Sequence, residues 1–201
     1  MYGRVNYVTF KMDKLDQVAR MWPDGVATYR GKGFEAGYFL LDRKTGKSVS
    51  VVLFTNEAAM RGNESAGDFR SAEQKFRELR LTEPDKNYYE VMASVKSDTP
   101  DPVGYARMAL PGLKVDKIDA VAAGWPGHVA TYKKEPGFRG AYLMVDRKTG
   151  KAVSLSLWGS KADCEANEAS GAFMATVTPY ADMIAVAPTR SYHDVAATVR
   201  P

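Results

Sequence analysis

The chain has 201 residues, 45% apolar and 26% charged, with a formal net charge of +4 and a pI near 9.0. Those proportions suit a globular fold, and no run approaches the roughly 18 apolar residues that span a bilayer, so no membrane partner is expected. The single cysteine, Cys164, excludes an internal disulfide and a cysteine-built metal site, and no metal is expected. The start, Met1 to Tyr7, alternates polar and apolar residues without an apolar signal core, so a reducing, cytoplasmic location is expected.

In chain order, Val5–Phe10 reads as a strand. Asp13 then stands as an N-cap before Leu15, Val18, Trp22, Val26 and Tyr29, an apolar stripe at helical spacing. Pro23 interrupts that stripe and predicts a kink or break after the tryptophan. Phe34–Leu41 and Ser48–Phe54 read as strands joined by Asp42-Arg43-Lys44-Thr45-Gly46-Lys47, a hairpin turn with glycine where positive φ is wanted. A second helix, capped by Asn56 and with Gly67 near its end, precedes a last strand, Tyr88–Val95.

The same series then recurs. Trp22–Tyr29 returns as Trp125–Tyr132 with six of eight residues kept, and Gly33–Phe69 aligns with Gly137–Phe173 without a gap, 17 of the 37 pairs being identical. Arg4 answers Arg107, Asp13 answers Asp116, Pro23 answers Pro126, Asn56 answers Ser160 and Gly67 answers Gly171. The copies span residues 1–95 and 104–201, and the polar, proline-bearing stretch 96–103 links them. The order β-α-β-β-α-β, twice, predicts an α+β fold of two ferredoxin-like repeats. Such a sheet carries helices on one face only, so the second copy is expected to cover the first as an intramolecular, barrel-like pseudo-dimer.

Met1-Tyr2-Gly3-Arg4-Val5, the Gly-Phe-x-x-x-Tyr strand with its Asp-Arg-Lys-Thr-Gly-Lys turn, and Ala152–Trp158 leading into a capped helix resemble the antibiotic-biosynthesis-monooxygenase superfamily. The resemblance covers nearly all of both repeats and implies a dimeric α+β barrel, here made within one chain. Members oxidise polyaromatic substrates without a cofactor, or degrade haem, or have no assigned activity, and fold alone does not choose among these. For haem degradation Asn6 and Trp158 match an asparagine and a tryptophan of the pattern, but in different copies, and Glu73 and Val177 stand where its histidine belongs. The resemblance therefore implies a cofactor-independent oxygenase of a small aromatic molecule, with no cofactor. A non-catalytic binding protein with filled pockets is the alternative, and tandem RNA-binding domains come third.

Candidate residues follow from these positions. Trp22, Trp125, Tyr29 and Tyr132 lie on the first helices, where they either wall a cavity for a flat substrate or pack the core. Tyr38 and Tyr142, in mid-strand, offer phenols to orient a carbonyl. Asn63-Glu64 and Asn167-Glu168 repeat on the second helices, where at most one of each adjacent pair faces inward. His193 stands opposite Tyr89, and Trp158 opposite Phe54. Tyr142, Trp158 and His193 therefore make the second copy the favoured catalytic one. His128 has no partner at triad or ligand spacing. The basic turns Arg43-Lys44 and Arg147-Lys148 read as solvated. Lys32–Phe39 imitates an RNA-reading motif on the wrong strand, and the basic excess forms no stripe, so no nucleic-acid partner is expected.

Overall fold

The computed structural model describes all 201 residues, apart from the side chain of Asp68. The first repeat comprises β1 (Tyr2–Thr9), α1 (Leu15–Ala27), β2 (Phe34–Leu41), β3 (Lys47–Phe54), α2 (Glu57–Ser65), α3 (Gly67–Lys75) and β4 (Asp85–Lys96). The second comprises β5 (Tyr105–Leu113), α4 (Ile118–Val129), β6 (Phe138–Val145), β7 (Ala152–Trp158), α5 (Lys161–Ala169), α6 (Ala172–Val177) and β8 (Ile184–Val199). The β-α-β-β-α-β order appears twice, with the second helix of each copy split in two. The hydrogen-bonded strand order β1-β3-β2-β8-β5-β7-β6-β4 closes as a barrel, the α+β pseudo-dimer that the duplication predicts.

Two compact units make up the chain: Met1–Tyr88 with Asp194–Pro201, and Tyr89–His193. The last strands of the two repeats are thus exchanged. In the first unit β2 pairs antiparallel with the end of β8, from Gly37 opposite Val199 to Leu41 opposite Asp194. In the second, β6 pairs with β4, from Glu90 opposite Val145 to Lys96 opposite Gly140. Residue patterns mark Tyr88–Val95 and Tyr192–Val199 as strands, but edge pairing is made by backbone groups and leaves no side-chain signature of the partner.

Local chemistry explains most element ends. Gly46 has φ 73°, and a Cβ there would come within 2.6 Å of the Phe10 carbonyl oxygen; at Gly150, also φ 73°, the Leu113 oxygen would be 2.1 Å away. Asp42 ties the first turn by accepting from Lys44 N at 2.9 Å and Thr45 Oγ1 at 2.6 Å. Asn56 caps α2 through Ala59 N at 2.9 Å, and Ser160 caps α5 through Asp163 N at 3.2 Å. Asp13 and Asp116 do not cap. Each sits inside a 3₁₀ turn that carries the helix start two residues further, and each carboxylate pairs with the next lysine, Lys14 at 3.2 Å or Lys117 at 3.3 Å. Pro23 and Pro126 do not break their helices. Buried Trp22 and Val26, or Trp125 and Val129, fix the helix face on either side of the missing donor. The helix α2 ends before Gly67, which opens α3, whereas Gly171 separates α5 from α6.

The turn arginines are paired. Arg43 donates to Asp16 at 2.8 Å, and Arg147 to Glu90 at 2.6 Å and Asp119 at 2.9 Å. Among the described residues, no helix is long and apolar enough to cross a membrane.

Candidate functional site

Each unit places a cavity between its helices and its sheet, and the two are lined at corresponding positions. In the first unit alternation along β1 aims Arg4, Asn6 and Val8 inward, while Ser48, Ser50 and Val52 do so from β3. Helix α1 contributes Trp22, Val26 and Tyr29, and the far wall carries Phe69, Glu73, Phe76 and Arg80. The cavity is about 90 Å³. Trp22 stacks on Phe39, with centroids 5.4 Å apart and planes 20° from parallel, and its Nε1 donates to Ser50 Oγ at 3.2 Å.

Arg4 is the unusual residue. It is 1% exposed, and its guanidinium lies 4.2 Å from the Phe69 ring centroid, 5.6 Å from Phe54 and 5.8 Å from Tyr29. Its Nε and Nη1 have no hydrogen-bond partner, and neither do Asn6 Oδ1 and Arg80 Nε in the same lining. Burial pushes the Arg4 guanidinium below its usual value, opposed by Tyr29, Glu64, Tyr88 and Glu73. Buried polar groups are ordinarily hydrogen-bonded, and this cavity gathers several that lack a protein partner.

The second cavity, about 60 Å³, is different. Arg107, 2% exposed, donates from Nη1 to Asn167 Oδ1 at 3.0 Å and Glu168 Oε1 at 3.3 Å, and from Nη2 to Tyr132 OH at 3.5 Å. Tyr132 in turn shares a 2.8 Å bond with Thr176, and burial raises its phenol's pKa while Thr176 and Arg107 oppose that rise. Where the first cavity has Asn6, Glu73 and Arg80, the second has Ala109, Val177 and Ile184 at the aligned positions.

The structure sorts the candidate residues. Trp22 and Tyr29 line the first cavity, Trp125 and Tyr132 the second. Tyr38 and Tyr142 do not line either, because Phe39 and Leu143, their neighbours in sequence, face the cavities, and alternation sends the tyrosines to the opposite side of the sheet. The Tyr38 hydroxyl accepts from Arg200 Nη1 at 2.7 Å. Asn63 and Asn167 are buried and line neither cavity; Asn167 accepts from Arg107 through Oδ1 while its Nδ2 has no partner, and Asn63 Oδ1 has none.

Tyr142, Trp158 and His193 are not gathered at one cavity. Trp158 is 0% exposed, its Nε1 donating to Ser156 Oγ at 3.1 Å, and Tyr132 and Phe138 pack on its ring at centroid distances of 5.8 and 5.6 Å. His193 Nε2 bonds Ser191 Oγ at 2.9 Å and lies outside the second cavity's lining. His128, at the end of α4, contacts the Tyr180 ring at 5.3 Å. Glu64 and Glu168 bind Tyr88 and Tyr192. Cys164 is fully buried, and burial pushes its thiol up to about 11. Sequence reasoning passed over Arg4 and Arg80. The signal was present: an arginine inside an apolar alternating strand, and polar residues exchanged for apolar ones between aligned copies.

This α+β barrel, with a helix-walled cavity in each half, is shared with a ferredoxin-fold protein from Listeria monocytogenes described as related to antibiotic biosynthesis monooxygenases, at 13% identity and a TM-score of 0.56 over 96% of this chain and 94% of that one. No family model matches the chain, and no curated protein matches its sequence. Among solved structures it is similar to a candidate monooxygenase from Fusobacterium nucleatum, with 16% identity and a TM-score of 0.79 over 99% of this chain and 94% of that one. An anthrone oxidase-like protein aligns at 15% identity and a TM-score of 0.70, covering 99% and 92%. A heme-degrading enzyme from Listeria monocytogenes aligns at 12% identity and a TM-score of 0.56, covering 96% and 99%. At these identities the likeness establishes the fold.

Proposed function

We propose that the chain binds a small, flat aromatic molecule in the cavity of its first unit and oxygenates it without a cofactor. The observation that carries this is Arg4, a buried guanidinium with unpartnered nitrogens beside Asn6 and the Trp22–Phe39 stack. A phenolate or enolate oxygen would satisfy it, and the cation favours the ionised, electron-rich form of the ring. Such an anion can reduce oxygen itself. A ring CH₂ becomes C=O, one oxygen atom enters the product, and both hydrogens leave with the other as water. The protein's part is to orient the ring and keep water out.

Sequence reasoning favoured the second copy; the geometry supports the first, because the second cavity's arginine is already occupied by Asn167, Glu168 and Tyr132. That occupancy supports the filled-pocket reading for the second unit alone.

The test is oxygen uptake by purified protein, in chelator-treated buffer, with hydroxynaphthalenes and anthrones. Uptake matching product one to one, and lost in Arg4→Met, is expected. No uptake and no rise in melting temperature with any of these compounds sinks the reading.

A further inference from the structure

The first cavity does not end at its far wall. Glu73, Arg80 and Pro84 also line an open basin of about 500 Å³ whose other charged residues are Arg70, Arg77, Glu83 and Lys86. Four cations and two carboxylates leave the basin at +2 (4 − 2). Both carboxylates are already engaged, Glu73 with Lys86 at 2.8 Å and Glu83 with Arg80 Nη2. At the junction stands Arg80, its side chain 11% exposed, with Nε buried and unpartnered.

The second repeat supplies a control. At the positions of Arg70, Glu73, Arg77, Arg80, Glu83 and Lys86 it has Met174, Val177, Ala181, Ile184, Ala187 and Arg190. The one remaining cation, Arg190, pairs with Glu168 at 3.5 Å. The charged mouth therefore belongs to the copy whose buried arginine has unpartnered nitrogens, and is missing from the copy whose arginine is bonded to Asn167, Glu168 and Tyr132.

Size points the same way. An apolar cavity of roughly 150 Å³ holds a benzene, so about 90 Å³ admits one edge of a ring system and leaves the remainder in the basin. We propose that the substrate is an aromatic acid. Its ring edge and ionised oxygen enter toward Arg4, and a carboxylate at the outer edge is held by Arg80 among the basin cations. Arginine's planar fork matches a carboxylate, and such bonds are stronger than neutral ones. This rests on the proposed function, since it names the substrate class for the same cavity.

The test compares 2-naphthol with 6-hydroxy-2-naphthoic acid by isothermal titration. The acid is expected to bind about tenfold more tightly to the wild type, with an advantage that shrinks as salt rises. Arg80→Ile, which installs the second copy's residue, is expected to bring the ratio to about one. Equal binding of the two probes, or a ratio unmoved by Arg80→Ile, overturns the aromatic-acid assignment and leaves the proposed function standing. Failure of both probes to bind the wild type overturns both. Should Arg80→Ile not fold, the wild-type ratio and its salt dependence decide: a ratio near one, or one indifferent to salt, overturns the assignment.

Discussion

Replacing Arg4 and Arg107 separately by methionine should move stability in opposite directions. Both arginines are 1–2% exposed and occupy matching positions on β1 and β5. Removing Arg107 strips Asn167 Oδ1 of its buried donor and Glu168 of one cation, a loss of about 2–4 kcal/mol by the usual cost of breaking a buried charged network. Arg4 breaks no hydrogen bond when it goes. Its removal relieves about 1–3 kcal/mol of uncompensated burial, less about 1 kcal/mol of cation–π contact with Phe69. Arg4→Met should therefore be neutral or up to about 2 kcal/mol more stable, and methionine conserves the packing of the aliphatic stem. Urea denaturation, read at constant m-value, measures both variants; Trp22 reports the first unit and Trp125 with Trp158 the second. Equal destabilisation by the two variants would refute the reasoning, because it would mean that Arg4 is a structural group like Arg107.

Other outcomes follow from the same structure. Gly46→Ala and Gly150→Ala should each cost about 2 kcal/mol, because both sites have φ 73° and a carbonyl oxygen where the methyl would go; thermal melts of the two variants check this. Cys164 should resist thiol reagents at pH 8 in the native state and react only on unfolding, since its thiol is pushed up to about 11 by burial. Tyr88 and Tyr192 are raised to about 12, first by burial and then by Glu64 and Glu168. Their folded values lie above the ordinary value near 10, so their contribution to stability is intact below pH 10 and fades as pH rises from 10 to 12. Absorbance titration should show one late-titrating phenol fewer in Tyr88→Phe, and one fewer in Tyr192→Phe, than in the wild type.

The duplication made the architecture legible. Once Trp22–Tyr29 and Trp125–Tyr132 are aligned, each repeat reads as β-α-β-β-α-β, and a sheet left open on one face needs the other copy. The strand exchange of β4 and β8 was not legible, because backbone pairing is indifferent to side-chain identity. The site was half legible. Trp22 and Tyr29 follow from the helical stripe, but Tyr142, Trp158 and His193 drew attention by residue type alone. Strand alternation turns Tyr142 away, and two aromatic rings pack on Trp158. Position by position, the exchange of Asn6, Glu73 and Arg80 for Ala109, Val177 and Ile184 was the stronger clue, since it removes three polar groups from one of two cavities aligned inside the same fold.

Calorimetric stoichiometry with 6-hydroxy-2-naphthoic acid tests most directly whether the first unit holds the competent cavity. One site per chain, absent from a folded Arg4→Met protein, is the result this account predicts. Two sites per chain, or one site whose affinity Arg4→Met leaves unchanged, would contradict it.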